Sequence, residues 1–114
     1  MKTVYLAGPY SGMEEKSFRC LTYLAGRLMN AGYVVFSPVT HCHPIAQSVM
    51  EMPKEHEFWM RQDLPFLAWA DELWVLTLPG WEESRGVQQE IRTAQSYGMT
   101  IRYPKPLPWM EEIQ

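Results

Sequence analysis

Apolar residues in this chain come in two rhythms: short unbroken runs, and longer stretches in which they return every third or fourth position. Thr3 to Ala7, TVYLA, is a β-branched and aromatic run ended by Gly8-Pro9, and it reads as a buried strand. From about Met13 to Ala31, Phe18, Leu21, Ala25, Leu28 and Met29 repeat at helical spacing, and Gly32 stands where a helix-ending glycine belongs. YVVFSP is a second strand, stopped by Pro38. The stretch VTHCHPIAQSVMEMPKE has no clean period and carries Pro44 and Pro53, so it reads as a long loop with at most one helical turn. Helical spacing returns from about Lys54 to Trp69, with Met60, Asp63, Leu64 and Leu67 on one stripe. ELWVLTL is a third strand, PGWEES its loop, Ser84 the cap of a helix running past Glu90, and TIRY a closing strand. The alternate prolines of PKPLPWMEEIQ make the tail an extended excursion with at most a short helix.

Strands alternating with helices predict an α/β fold: a three-layer α/β/α sandwich around a small parallel sheet of four to five strands, Rossmann- or flavodoxin-like. In such sheets ligands bind at the carboxyl ends of the strands, near the point where strand order reverses. Here those ends carry GPYSG, SPVTHCHP and LPGWEES.

Two acids break the hydrophobic pattern. Glu90 falls on the apolar stripe of Val87, Ile91 and Ala94, and Asp63 falls on the stripe of Met60, Leu64 and Leu67. Burying a carboxylate without a partner is costly, so each needs a partner or a task. Helix rise, about 1.5 Å per residue, brings both to roughly mid-height of the sheet, where they can converge under the loops. Two carboxyl groups facing one pocket are the apparatus of glycosidic bond cleavage, one at the anomeric carbon and one handling the leaving group's proton. The alternative is that each acid is satisfied by a tyrosine or a backbone group.

Composition narrows the classes. The 114 residues suit one domain with one sizeable core, and 46% hydrophobic with 20% charged residues is the balance of a folded protein. A net charge of −3 gives no basic footprint, so neither a nucleic-acid polymer nor a membrane is an expected partner. Cys20 and Cys42 form no CxxC pair, and MKTVYLAGPY has too short an apolar run for a signal segment; a cytoplasmic protein is expected. AGPYSGMEE contains neither GxGxxG nor GxxxxGK[ST], which removes the main support for nicotinamide or ATP chemistry, and no cofactor is expected. A phosphate could still touch that turn. His41 and His43 could share one side of an extended segment, but no second His/Cys cluster completes a metal site, so this stretch reads as a polar loop shaping a pocket. At Ser84-Arg85-Gly86, free backbone N–H groups, a hydroxyl and an absent side chain suit a phosphate, with ordinary capping as the alternative.

The segments YLAGPYSG, QDLPFLAWADELWVL and SRGVQQEIRTA resemble the nucleoside 2-deoxyribosyltransferase superfamily across most of the chain. Ser84, two residues before Gly86, is similar to a phosphate-contacting serine of 2′-deoxynucleoside 5′-monophosphate N-glycosidases within it. VVFSPVTHCHPI, FWMRQDL and LPGWEES resemble more closely a bacterial and phage domain-of-unknown-function family in the same superfamily. The resemblance implies that residues 1–114 are one nucleoside 2-deoxyribosyltransferase-like domain that cleaves the N-glycosidic bond of a nucleotide or nucleoside, by hydrolysis or transfer. Glu90 would be the nucleophile, Asp63 its partner in positioning the sugar and moving the proton, and Tyr5 a pocket residue near both. Gly8, Pro9, Tyr10, Ser11, Ser84 and Gly86 would contact the substrate, and loops bearing Tyr10, His43, Trp59 and Trp81 would enclose the base. Pro9 stands where the nucleotide glycosidases carry a phosphate-binding serine. A homodimer or higher homo-oligomer is the analogous expectation. The rival functions are a nucleotide sensor without turnover and a metal-dependent enzyme using the His41-Cys42-His43 stretch.

Overall fold

In the computed structural model, residues 1–49, 51–53 and 55–113 are described. They form strand β1 (Thr3–Ala7), helix α1 (Glu14–Asn30), β2 (Val34–Phe36), α2 (Pro38–Ser48), α3 (His56–Trp69), β3 (Glu72–Val75), a 3-10 turn at Trp81–Glu83, α4 (Arg85–Ser96), β4 (Thr100–Arg102) and α5 (Pro108–Glu112). Strand order is β2-β1-β3-β4 with every pair parallel, and Tyr5 lies opposite both Phe36 and Leu73.

Strand alternation builds the layers. Val4 and Leu6 of β1 pack on one side with Cys20, Leu21, Ala25 and Leu28 of α1 and Met110 of α5. Tyr5 and Ala7, one position out of phase, pack on the other side with Leu67 of α3 and Val87, Ile91 and Ala94 of α4. The period of two along β1 thus meets the 3.6-residue stripe of a helix on each face, giving the α/β/α sandwich. Gly32 ends α1 with φ +100°; its N–H donates to the Met29 carbonyl at 3.0 Å and that of Tyr33 to Leu28 at 3.1 Å, a glycine-closed helix end.

Of the segment expected as a loop, the part to Ser48 is instead helix α2, while Val49, Glu51 to Pro53 and Glu55 are not helical and Met50 and Lys54 lie outside the described residues. Ser37 caps it by accepting the Thr40 N–H at 3.4 Å, and Pro38 sits at the first helical position, where a missing N–H is harmless. Pro44 lies inside the helix and breaks the expected pattern without ending it. The third strand, Glu72–Val75, is shorter than ELWVLTL; beyond it Leu76 N–H still donates to the Ala7 carbonyl at 2.9 Å, and Thr77 N–H donates to the Pro104 carbonyl at 3.1 Å, tying this segment to the tail. Lys54, where the sequence starts the helix that runs to Trp69, lies outside the described residues, and that helix, α3, is seen from His56.

The chain runs from β1 to β2 on one flank of the sheet and then crosses to β3 on the other, so strand order reverses between β1 and β3. Their carboxyl ends open onto the site. At the opposite end, buried Glu72 accepts from Lys2 at 2.6 Å, Trp74 Nε1 at 2.9 Å and Arg102 at 3.0 Å, and these bonds, Lys2 foremost, hold its carboxyl down at about 2. That cluster closes the bottom of the sheet. Among the described residues no helix is long and apolar enough to cross a membrane.

Candidate active site

A cavity of about 920 Å³ opens at the switch point, a size suited to a small molecule. The β1–α1 loop, α2, the start of α3 and the mouth of α4 wall it. Tyr5 lies beneath, fully buried in β1.

Glu90 of α4 and Asp63 of α3 both line this cavity, and both are about 95% buried, with exposures of 4% and 5%. The Tyr5 hydroxyl donates a short hydrogen bond to Glu90 Oε2. Burial pushes the Glu90 carboxyl up to about 8; the Tyr5 bond pulls it down, and the Asp63 charge pushes it further up. Burial raises Asp63 to about 6 against the opposing pull of the Cys42 bond and the His41 charge. Tyr5 itself is pushed well above its ordinary value, first by burial and then by the charges of Glu90 and Asp63. At neutral pH one acid of the pair therefore keeps its proton and the other mostly ionises.

Cys42 belongs to this group, although the sequence marks it only as part of the His41-Cys42-His43 stretch and not as a partner of Asp63. The i and i+1 positions of α2 place Cys42 and His43 inward, and the Cys42 thiol donates to Asp63 Oδ1 at 3.5 Å. Burial, and then the Asp63 charge, push that thiol up to about 12, so it acts as a weak donor and not as a nucleophile. The helical Ser37-Pro38 start was the available signal: once α2 is a helix, residues 41 and 43 lie roughly 200° apart and cannot share a ligand. His41 is exposed and packs near the Phe36 ring at 5.7 Å, while His43 is buried. Among the described residues no group of three or more His, Cys, Asp or Glu is arranged for a metal ion.

On the wall formed by α1 and α2, the Tyr10 hydroxyl lies 2.6 Å from His43 Nδ1, and His43 Nε2 lies 3.2 Å from Glu15 Oε1. Phe18 stacks on the imidazole at 4.7 Å. Glu15 is another residue that sequence reasoning missed, because a contact 28 positions apart leaves no periodic trace.

The remaining residues divide. Gly8, Pro9, Ser11, Trp59, Ser84 and Gly86 line the cavity together with Tyr10 and His43. Gly8 has a packing reason as well: an added Cβ would stand 2.9 Å from Leu21 Cδ1. At Gly86 an added Cβ would meet only Met60 Cε at 3.6 Å, an ordinary contact. Ser84 caps α4 by accepting the Val87 N–H at 3.3 Å. Trp81 is not in the cavity wall. It follows Gly80, whose φ is +92°, and turns its ring toward Tyr103 at 5.4 Å and the Tyr5–Val87 core. Arg85 also lines the cavity and pairs with exposed Glu57 at 3.2 Å.

A three-layer fold with a switch-point cavity and two buried acids is the setting for the comparisons with known proteins. Residues 2–103 match the family described as "Domain of unknown function (DUF1937)", and the chain belongs to that family. The fold is similar to the solved structure of a 2-deoxyribosyltransferase from the psychrotolerant bacterium Bacillus psychrosaccharolyticus, with a TM-score of 0.61 and 20% identity over 93% of this chain and 74% of that one. No curated protein matches the sequence significantly.

Proposed function

We propose that this chain, acting as a single nucleoside 2-deoxyribosyltransferase-like domain, cleaves the N-glycosidic bond of a nucleoside or nucleotide, by hydrolysis or transfer. The observation that carries the reading is the convergence of Glu90 and Asp63, from different helices, in one cavity with the Tyr5 hydroxyl bonded to Glu90. A Glu90 carboxylate oxygen attacks the anomeric carbon as its bond to the base nitrogen breaks, giving a glycosyl-Glu90 ester and the free base. Water or a second base then attacks the same carbon and releases Glu90 as a carboxylate. Asp63 orients Glu90 and the sugar; at about 6 it still carries its proton in about a tenth of molecules at pH 7 and can assist the departing base in that fraction. The solved structure of similar fold is described as a biocatalyst for synthesis of nucleosides, which agrees with this substrate class.

The cavity wall carries Glu14, Asp63, Glu83 and Glu90 together with Arg85 and the Ser84-capped N-terminus of α4, so the comparison of nucleosides with their monophosphates reads which charge governs substrate choice. Size-exclusion chromatography with light scattering tests the accompanying proposal of a homodimer or larger assembly.

The activity is tested by incubating the protein with deoxy- and ribonucleosides and their monophosphates, with and without EDTA, and following free base by chromatography. Release that survives chelation and is lost in Glu90→Gln supports the reading. Ligand binding without release would identify a sensor, and release abolished by EDTA would identify a metal enzyme.

A further inference from the structure

We infer that Glu15, His43 and Tyr10 form a proton relay to the departing base, with Tyr10 as the acid that touches it, His43 as the group behind it and Glu15 as the carboxylate that holds the His43 charge; this deepens the glycosidase reading and rests on it. The chain is continuous. Glu15, on the exterior with its side chain 70% exposed, meets His43 Nε2 at 3.2 Å, and His43 Nδ1 meets the Tyr10 hydroxyl at 2.6 Å. His43 is 4% exposed and its ring is held flat against Phe18, with centroids 4.7 Å apart and planes 29° from parallel. Both ring nitrogens are therefore committed, one toward solvent and one toward a hydroxyl that borders the cavity.

Position fits the task. Tyr10 of the β1–α1 loop and His43 of α2 line the same cavity as Glu90 of α4, and the relay has a sugar at Glu90 turn its base toward Tyr10. Two neighbouring groups are weaker sources: Asp63 is mostly ionised at neutral pH, and the Cys42 proton is engaged with Asp63. Burial and the charges of Glu14, Cys42 and Glu15 also make the Tyr10 phenol a weak acid by itself, which is why a resupplying group behind it matters.

In the working state His43 is an imidazolium, its Nε2–H donated to the Glu15 carboxylate and its Nδ1–H to the Tyr10 oxygen, leaving the Tyr10 hydrogen free to point at the base. As the C1′–N bond breaks, that hydrogen passes to the leaving nitrogen, and the Nδ1 proton passes to the Tyr10 oxygen. His43 ends neutral and keeps its Nε2–H on Glu15; once the base has left, water entering the cavity gives a proton to the Tyr10 oxygen as the Tyr10 hydrogen returns to Nδ1. One proton enters and one leaves with the base.

The test uses a graded series of 2-deoxynucleosides whose bases differ in the basicity of the departing nitrogen, with wild-type protein, Tyr10→Phe, His43→Gln and Glu15→Gln, each checked by thermal melting. The relay predicts a loss of about 10²-fold or more for Tyr10→Phe and His43→Gln on the most basic leaving groups, shrinking below tenfold on the most acidic. Glu15→Gln gives the same trend at smaller size. A loss uniform across the series in a folded variant means that His43 and Tyr10 only pack or bind, and overturns the relay while leaving the glycosidase intact. Wild-type protein that cleaves no member of the series overturns both.

Discussion

Replacing Glu90 by glutamine should make this protein more stable, and the gain should depend on pH. An unfolded glutamate ionises near 4.5, whereas the folded carboxyl holds its proton up to about 8. Between those values the native state binds a proton that the unfolded chain releases, so the stability contribution of Glu90 is full below pH 4.5 and falls as pH rises toward 8. At pH 7 the deficit is about 2.5 units at 1.36 kcal/mol each, or about 3 kcal/mol. Glu90→Gln keeps the shape and an oxygen to accept the Tyr5 hydroxyl, but has no charge to desolvate. Allowing about 1 kcal/mol for a weaker bond to Tyr5, the variant should gain about 2 kcal/mol at pH 7, or roughly 8 °C in Tm. Urea denaturation of both proteins at pH 4.5, 7 and 8.5 measures it. Curves that nearly coincide at pH 4.5 and separate as pH rises support the reasoning. A variant less stable than wild type at pH 8.5, or one with an unchanged pH slope, refutes it.

Glu72, at the other end of the sheet, behaves oppositely: its carboxyl is depressed to about 2, so its contribution is present above about 4.5 and lost as pH falls toward 2. Because Lys2 and Arg102 are largely exposed, Glu72→Gln should destabilise by only about 1–2 kcal/mol at pH 7, read by urea denaturation, with the gap closing in acid. Gly8→Ala should destabilise by about 1–3 kcal/mol, because the new methyl meets Leu21 at 2.9 Å beside β1; a neutral melting curve would show that α1 yields. In steady-state kinetics kcat/KM should climb with pH to a limb near 8 as Glu90 ionises in the free protein, and a flat profile from pH 6 to 9 would count against Glu90 as nucleophile.

Much of this architecture was legible in the sequence because the strands are β-branched runs and the long helices carry regular stripes. The acids were legible for the opposite reason: Glu90 and Asp63 occupy positions that their neighbours Val87, Ile91, Met60 and Leu67 mark as interior. What escaped was helix α2, whose apolar spacing is poor and whose interior holds Pro44, although Ser37-Pro38 announces its start. With it went the direction of Cys42 and the separation of His41 from His43. Trp81 was misplaced because loop direction after Gly80 depends on backbone geometry that composition does not encode. The Glu15–His43–Tyr10 contacts join separate segments and exist only once the fold is formed.

The most direct measurement is acid quenching of the protein during turnover of a 2-deoxynucleoside, followed by mass analysis of peptides spanning α4. The account predicts a peptide heavier by one deoxyribosyl group, with the modification on Glu90, and neither adduct nor base release in Glu90→Gln. Base release by Glu90→Gln at the wild-type rate, with the α4 peptides unmodified in both proteins, would contradict it.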